Sequence, residues 1–294
     1  MDYLQYLNEL ISMPEEASEL IYEVYENFFT SETFYAEYQK LHDEFFAGEN
    51  ILDKIKELAV RFETEESLLI LVFAEMLSIT TKSIYKEKNI SEEIFYESML
   101  DIPIWAKVCK RDYGIWGLKE IAFNWFTMQL RTTMFRLGRL QFHIITFKYD
   151  SYNYAGYTVN KDDEIINIHI PEGDALTYDK RIDSYKKAYK FLGKNVFVCD
   201  TWLFYPKHRE FLPPNSNILS FMDDFDIIDS SESDDLGNMW RIYGRRDTYI
   251  PSELPRDTGL QRAYADWLAK GGKTGSGYGI FFFDGENIIK KASG

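Results

Sequence analysis

Two apolar segments of the chain end in residues that can transfer protons or act as nucleophiles. The segment IINIHI (residues 165–170) carries His169 near its end, and NVFVCD (residues 195–200) ends in Cys199 and Asp200. A histidine can accept or donate a proton near neutral pH, a cysteine can attack a carbonyl carbon, and a carboxylate can orient an imidazole. The same residues could instead be structural: a hydrogen-bonded histidine, a small core cysteine and a capping aspartate.

Strand periodicity indicates where the side chain of His169 points. Successive side chains of a strand point to opposite faces, so His169 shares its face with Asn167 and Ile165. The remaining isoleucines of the segment form the other face, which fits a buried core. We therefore expect the imidazole of His169 to face a cleft that it shares with Asp200 or Cys199.

The chain changes character near Gly138, and its second half has the pattern of a mixed sheet. Alternating β-branched and aromatic residues predict a meander of three strands, at residues 139–148, 152–159 and 163–170. Nearer the C-terminus we predict two further strands, at residues 225–229 and 239–243. A helix over residues 257–270 and a last strand over residues 279–283 follow.

A helix connects the strand of His169 to the strand of Cys199 and Asp200. Its periodicity runs over residues 177–192, and Gly193 can adopt the left-handed conformation that commonly ends a helix. Because a helical crossover joins parallel strands, we expect these two strands to be adjacent and parallel. Their carboxyl ends then lie at the same edge of the sheet.

The first half of the chain has helical spacing throughout. Thr64 and Ser91 each precede a pair of glutamates, which is typical of a helix N-terminus. The predicted fold class is therefore α+β, with an all-helical N-terminal domain over residues 1–136 and a mixed α/β domain over residues 137–294.

Charge and composition narrow the classes of partner. The 294 residues carry 48 acidic and 33 basic side chains, a formal charge of −15, which disfavours binding to nucleic acid or to an anionic membrane. The apolar run at residues 68–79 is too short to span a bilayer, and the N-terminus lacks the pattern of a signal peptide. Cys109 and Cys199 show no disulfide or zinc spacing. We expect a cytoplasmic protein without a metal site.

Five segments in order resemble a known bacterial family, the acyltransferase domain-containing proteins. They are LGRLQF (137–142), NIHIPEG (167–173), FVCDTWL (197–203), LPPNSNI (212–218) and LPRDTGLQRAYADWLAKGG (254–272). In that family a helical N-terminal domain precedes a C-terminal domain similar to the GNAT N-acyltransferase fold. The resemblance is dense in the second half of the chain and loose in the first.

The resemblance implies a chemistry as well as a fold. In a GNAT fold, the strands that correspond to those of His169 and Asp200 splay apart, and an acyl-CoA donor enters the gap. A small-molecule acceptor, an amine or a hydroxyl, would then need a base, for which His169 is suited, while Asp200 could orient the imidazole. Cys199 could carry the acyl group covalently. Where the family commonly has Cys-His-Ser-Trp, this chain reads Cys199-Asp200-Thr201-Trp202.

The loop that would bind the CoA diphosphate departs from the GNAT pattern. The stretch Pro171–Leu176 has one glycine, Gly173, and two carboxylates that repel a diphosphate. Lys187 and Lys190 of the following helix, and Arg139 near the domain junction, are candidates to compensate, although such a row of lysines is more typical of a solvated helix face.

Two further candidates and a second function class complete the predictions. Trp202 and Asn217 are candidates for substrate binding, with core packing and local backbone hydrogen bonding as their structural alternatives. Besides an acyl-CoA-dependent acyltransferase, the acidic loop allows a non-catalytic binding or interaction protein that keeps the fold without the standard CoA loop.

Overall fold

The computed structural model describes residues 2–291. The chain divides after Arg136 into two compact units, which are described separately. The first unit is built of helices, and its bounds are α1 Asp2–Leu10, α2 Glu15–Val24, α3 Glu32–Phe46, α4 Leu52–Arg61, α5 Glu66–Glu87, α6 Glu92–Met99, α7 Asp101–Tyr113 and α8 Glu120–Leu130. One π-helical turn, Tyr25–Phe29, follows α2.

Helix α5 is the centre of the helical unit. The side chain of Glu65 accepts a hydrogen bond of 2.6 Å from the Leu68 N–H and so caps the helix. The following residues are buried without a break as far as Ser78, as expected for a helix surrounded by others. By length and composition alone α5 could cross a membrane, but 72% of its apolar stretch is buried inside the protein.

The second unit contains strands and helices in alternation. Its strands are β1 Met134–Leu137, which begins just before the division, β2 Leu140–Thr146, β3 Ser151–Tyr154, β4 Tyr157–Asn160, β5 Glu164–His169, β6 Val196–Thr201, β7 Asp226–Ser233, β8 Thr274–Phe283 and β9 Ile288–Ile289. Its α-helices are α9 Tyr178–Leu192, α10 His208–Phe211, α11 Asn217–Met222, α12 Trp240–Tyr243 and α13 Gly259–Ala269.

The main sheet has the strand order β1-β2-β5-β6-β8-β7, and β9 pairs with β8. Strand β5 is antiparallel to β2 and parallel to β6, whereas β8 is antiparallel to both β6 and β7. The prediction that the strands of His169 and Asp200 are adjacent and parallel is confirmed. So is the predicted fold class, a helical region followed by a mixed α/β domain.

The two faces of the sheet bury different partners. On one face, Tyr185 of α9 contacts Phe197 and Phe281, with ring centroids 5.9 and 5.0 Å apart. On the other face, Tyr152 and Val159 of the β3–β4 hairpin pack on the apolar side chains of β5, β6 and β8. The sheet therefore lies between α9 and the hairpin.

Two predicted strands are wrong. Residues 152–159 do not form the middle strand of a meander, because Ala155 and Gly156 have positive φ angles of 51° and 85° and close a separate β3–β4 hairpin. Strand β2 pairs directly with β5 instead. Residues 240–243 form the short helix α12, and its N-cap Met239 is buried with Tyr243 against α13, one helical turn apart.

A buried ion pair ties α9 to the segment before β7. Arg181 is fully buried and binds Asp224 through Nε at 2.6 Å and Nη2 at 3.1 Å. It also donates to the carbonyl of Leu176, at 2.9 Å, and Tyr185 donates to Asp224 at 3.0 Å. The network fixes the start of α9 and the end of the loop that precedes it.

Removal of Arg181 tests this network. In Arg181→Met, Asp224 stays buried without its counter-charge, so we expect the free energy of unfolding to fall by about 3–5 kcal/mol. Lys186 lies in the same helix and forms an exposed ion pair with Glu286. Lys186→Met should lower the free energy of unfolding by about 1 kcal/mol or less. Urea denaturation of both variants gives the comparison, and equal losses would contradict a structural role for the buried pair.

The helical unit holds a buried carboxylic acid. Glu75 of α5 is fully buried, and burial raises its pKa to about 8, although the neighbouring Asn8 lowers it slightly. Neither carboxylate oxygen of Glu75 has a hydrogen-bond partner within residues 2–291. The acid is therefore largely protonated at pH 7.

Stability should depend on pH through Glu75. Above the ordinary pKa of 4.5, the unfolded chain has released a proton that the folded protein keeps until about pH 8. The free energy of unfolding then falls as pH rises, by about 1.4 kcal/mol per pH unit from this group. Urea titrations from pH 5 to 8 should show Glu75→Gln gaining stability over the native protein with this slope. With the exposed Glu66→Gln as control, parallel curves for Glu75→Gln and native protein would refute the assignment.

Candidate functional site

The pairing between β5 and β6 is short and then stops. Residues Ile166 and Asn167 lie opposite Phe197 and Val198. Beyond these pairs β5 continues to His169 beside β2, and β6 continues to Thr201 beside β8. The register between the two parallel strands therefore ends before their carboxyl ends. We call the region between the two strand ends, beyond these pairs, the gap; an extended ligand that inserted there would meet the backbone of both strands.

His169 lies at this edge in a pair with a second histidine. Its Nε2 is 2.8 Å from Nδ1 of His143 on β2 and 3.0 Å from the side-chain nitrogen of Asn167. The two imidazole rings are nearly parallel, at 9°, with centroids 4.7 Å apart. Sequence reasoning missed His143, although the alternation of β2 would have placed it on the face of His169 if the strand pairing had been known.

Both imidazoles are neutral at pH 7. Burial lowers the pKa of His169 to about 3, with a further lowering by His143, and burial also lowers the pKa of His143. The pair therefore keeps at least one unprotonated ring nitrogen per imidazole over the whole neutral range. A neutral imidazole can accept a proton, so burial leaves the pair competent as a base, although a pKa near 3 makes it a weak one.

Asp200 lies on the same face of the sheet as His169. Its side chain is 60% exposed and lies 3.6 Å from Nζ of Lys148, and Lys148 sits 4.3 Å above the ring of Tyr278. Tyr278 is opposite Asp200 in the β6–β8 register. The carboxylate of Asp200 therefore shares the face of the imidazole and lies beside the ammonium group of Lys148.

Tyr278 is a polar group that sequence reasoning did not find. Its hydroxyl is buried and, within residues 2–291, has no hydrogen-bond partner. Burial is the main cause that raises its pKa, so the phenol stays protonated. It therefore offers an O–H donor beside Asp200, near the open ends of the strands.

Cys199 is not part of this site. It precedes Asp200 on β6, so its side chain points to the opposite face, toward α9, where it is 1% exposed. Burial raises the pKa of its thiol well above the ordinary value. The structure thus brings His169 and Asp200 to one face and places Cys199 on the other, and a cleft shared by His169 and Cys199 is excluded.

The side chains of Arg139 and Arg181 donate hydrogen bonds to backbone carbonyls of the loop Pro171–Leu176. Arg139 donates to the carbonyls of Pro171, at 2.8 Å, and Asp174, at 2.7 Å. The candidate phosphate ligand Arg139 is therefore engaged with the backbone of the loop. Gly173 is exposed and has a φ of 137°, which side chains rarely adopt.

The lysine candidates lie away from this loop. Lys187 and Lys190 are about 14 and about 18 Å along the axis of α9 from Tyr178, its first residue. Lys187 lies 3.3 Å from Asp183 in an (i, i+4) pair. Both lysines therefore lie more than two helical turns beyond the first residue of α9.

The two substrate-binding candidates lie in different elements of the second unit. Trp202 follows β6 directly and packs on His208 and Tyr264, with centroids 5.9 and 6.0 Å away. Asn217 is an exposed residue at the start of α11, after the capping Ser216. Trp202 is thus next in the chain to the open end of β6 and is half-buried, whereas Asn217 shows no described contact with the gap.

His208 forms a second polar pair that sequence reasoning missed. It is fully buried, its Nδ1–H donates to the carbonyl of Leu203 at 3.1 Å, and its Nε2 accepts from the hydroxyl of Tyr264. Burial lowers its pKa to about 4. Every polar atom of this imidazole is satisfied, which is the pattern of a structural histidine. In residues 2–291, no group of three or more potential metal ligands occurs.

Comparison with solved structures finds the same fold at low identity. The chain resembles an acyltransferase in complex with decanoyl-CoA and teicoplanin, at 18% identity and a TM-score of 0.74, over 96% of this chain and 88% of that one. It resembles an acyltransferase in complex with decanoyl-CoA at 19% identity and a TM-score of 0.74, over 95% and 87%. An acyltransferase mutant in complex with octanoyl-CoA matches at 18% identity and a TM-score of 0.70, over 96% and 88%. A search of curated protein sequences found no match.

Two family models together cover nearly the whole chain. Residues 2–132 match the N-acyltransferase N-terminal domain. Residues 134–281 match the GNAT-like C-terminal domain. The resemblance stated from the sequence is confirmed: the chain belongs to the acyltransferase family that joins a helical N-acyltransferase N-terminal domain to a GNAT-like C-terminal domain.

Proposed function

We propose that the protein transfers an acyl group from an acyl-CoA to an amine or hydroxyl of a small molecule. The observation that carries the proposal is the gap between the carboxyl ends of β5 and β6, with the imidazole of His169 at its edge. Family membership supports acyl transfer as the reaction class. An acyl-CoA pool inside the cell also fits the cytoplasmic location that we propose from the sequence.

The donor would lie with its pantetheine arm in the gap. The arm is an extended chain with two amides, and the edges of β5 and β6 that face each other beyond Asn167 and Val198 would offer complementary donors and acceptors. Solved structures of the same fold hold octanoyl-CoA or decanoyl-CoA, which supports a medium-chain acyl group as the first donor to test. The thioester would then reach the edge of the gap where His169 lies.

The reaction needs a base and an acid on opposite sides of the carbonyl carbon. The acceptor nitrogen or oxygen attacks that carbon, a new C–N or C–O bond forms, and the C–S bond breaks. His169 would take the proton that the acceptor loses, and the hydroxyl of Tyr278 would donate a hydrogen bond to the departing thiolate, which takes its proton from solvent. The acceptor could approach along the face that also carries Asp200, and Trp202 could form part of its pocket.

The acidic loop changes how the donor is held. Glu172 and Asp174 are exposed in the loop before α9, where a GNAT enzyme would bind the CoA diphosphate. Arg139 is turned to the carbonyls of the same loop. We therefore infer that the acyl and pantetheine groups supply most of the affinity and that the diphosphate supplies little.

Thermal shift measurements test this mode of binding. Decanoyl-CoA should raise the melting temperature, and S-decanoyl pantetheine, which lacks the nucleotide, should raise it nearly as much at equal concentration. CoA without an acyl group should give a smaller shift. A shift with decanoyl-CoA that disappears with the pantetheine thioester would show that the diphosphate is the main anchor.

The second candidate function is a binding protein without turnover. The acidic loop favours it, since a catalytic site with a weakly held donor would turn over slowly. The two functions differ in one readout: a binding protein would be stabilised by decanoyl-CoA but would release no CoA in the presence of a panel of amines.

Substitution of the proposed base tests catalysis. His169→Gln keeps a polar side chain of similar length but no base, so we expect the rate of acyl transfer to fall by about 10²-fold or more with the melting temperature nearly unchanged. Cys199→Ala is the matched control on the other face of the sheet and should retain the native rate. Free thiol release from decanoyl-CoA measures both. A large stability loss in His169→Gln with native activity per folded molecule would make His169 structural, and loss of activity in Cys199→Ala would return the cysteine to the mechanism.

A further inference from the structure

We propose that Trp240, Arg241 and Arg245 form a binding site for the phosphate group of a small molecule. We call these three residues the arginine–tryptophan patch. They lie on helix α12 and directly after it, in a part of the chain that the proposed acyl transfer does not use, so the inference goes beyond that function. Within residues 2–291 neither arginine forms an ion pair, although 48 acidic side chains outnumber 33 basic ones.

Both guanidinium groups of the patch lie over one indole ring. The central guanidinium carbon of Arg241 is 4.5 Å from the ring centroid of Trp240, and that of Arg245 is 5.2 Å from the same centroid. Each distance is that of a cation–π contact, which orients a guanidinium group without neutralising its charge. The indole therefore holds two positive charges close together.

The partners of Arg241 leave its charge uncompensated. Its Nη1 donates a hydrogen bond of 2.7 Å to the neutral side-chain oxygen of Asn238. Partial desolvation lowers the pKa of Arg241, and the positive charge of Arg245 lowers it further. A like charge thus acts on Arg241, and an anion bound between the two arginines would turn this repulsion into two attractions.

The acidic residues that precede the patch in the chain are engaged elsewhere. The carboxylate of Asp234 lies 3.3 Å from Nζ of Lys273. Oδ1 of Asp235 accepts a hydrogen bond of 2.8 Å from the backbone N–H of Gly237. Neither carboxylate therefore serves as the counter-charge of Arg241 or Arg245.

The acidic residues that follow the patch accompany a different arginine. Asp247 and Glu253 line a surface cavity together with Arg246. Nε of Arg246 donates to the carbonyl of Tyr243 at 3.2 Å. Arg246 is therefore not counted as part of the patch.

The packing of α12 explains why the patch faces solvent. Met239 and Tyr243 are buried one helical turn apart in the apolar cluster against α13. Trp240 and Arg241 lie between them in sequence and so point away from the centre of that cluster. Trp240 is half-buried, whereas Arg241 and Arg245 are exposed and open to a ligand from solvent.

The charge and shape of the patch favour a phosphate group. A guanidinium group presents a planar fork of N–H donors that binds phosphate or carboxylate oxygens in pairs. A phosphate monoester carries about two negative charges at pH 7, which balance two arginines, whereas a carboxylate carries one. The formal charge of −15 disfavours a nucleic acid as the source of the phosphate. The ligand is therefore a small phosphate compound.

The patch lies on other elements than the expected diphosphate position of an acyl-CoA. That position is the loop Pro171–Leu176 before α9, whereas the patch belongs to α12, which packs on α13. The ligand of the patch is therefore a second molecule and not the acyl donor.

Titration with inorganic phosphate tests the patch. In 15N-labelled protein at constant ionic strength, the indole N–H signal of Trp240, assigned through Trp240→Phe, should shift with phosphate until it saturates. Arg241→Gln and Arg245→Gln should each weaken phosphate binding by about tenfold or more, because each removes charged hydrogen-bond donors. Arg256→Gln breaks an exposed ion pair with Asp266 and is the matched control, which should keep the native affinity. Equal affinity in all four proteins would overturn the site.

A conservative variant separates recognition from folding and from charge. Arg245→Lys keeps the positive charge, so its melting temperature should match that of the native protein. Its phosphate binding should still be weaker, because an ammonium group lacks the planar fork. A signal of Trp240 that moves linearly with phosphate, and equally in native protein and Arg245→Lys, would show a non-specific salt effect and would overturn the site.

A competition experiment separates this site from the proposed acyl transfer. The phosphate titration needs neither donor nor acceptor, so it remains decisive even if decanoyl-CoA is not bound or not turned over. With decanoyl-CoA at a concentration that saturates its effect on the melting temperature, the affinity for phosphate at Trp240 should be unchanged. Loss of phosphate binding in its presence would place a phosphate of CoA at the patch and would overturn the assignment to a second ligand.

Discussion

The short parallel contact between β5 and β6 is the constraint on which the candidate site depends. Two residue pairs hold the strands together, at Ile166 with Phe197 and Asn167 with Val198, before each strand continues with a different neighbour. If more residues of β5 and β6 were paired, the gap would close. If none were paired, His169 and Asp200 would not lie at a common edge of the sheet. The twist of a sheet with both parallel and antiparallel neighbours makes such a divergence possible.

Other parts of the C-terminal unit maintain this divergence. Helix α9 covers one face through Tyr185, and the buried pair of Arg181 with Asp224 fixes where the helix begins. Arg139 holds the loop between β5 and α9 by its carbonyl oxygens. Arg139, the candidate phosphate ligand, is thus used to build the loop.

Sequence reasoning found the elements that depend on local pattern. The helix ending at Gly193 and the parallel neighbours that it connects are present, because a left-handed glycine and a helical crossover are local signals. Thr258 and Gln261 form the predicted start of α13 as a capping box. The hairpin at Ala155 and Gly156 was not predicted, because in sequence two short strands joined by a tight turn look like one continuous strand.

The site itself was only half predictable. Alternation along β5 placed His169 on a polar face, but the contact with His143 depends on which strand pairs with β5, and the expected meander gave the wrong neighbour. Cys199 and Asp200 are adjacent in sequence, so their side chains point to opposite faces of the sheet. The alternation of side chains along a strand was enough to predict this. Tyr278 could not be found at all, since its unsatisfied hydroxyl is defined by packing.

A crystal structure with a non-transferable thioether analogue of decanoyl-CoA tests the central claim most directly. We predict that the pantetheine arm lies between residues 168–170 of one strand and residues 199–201 of the other, with its sulfur close to the imidazole of His169. An analogue bound elsewhere, with the gap between β5 and β6 empty, would contradict the assignment of this gap as the donor site.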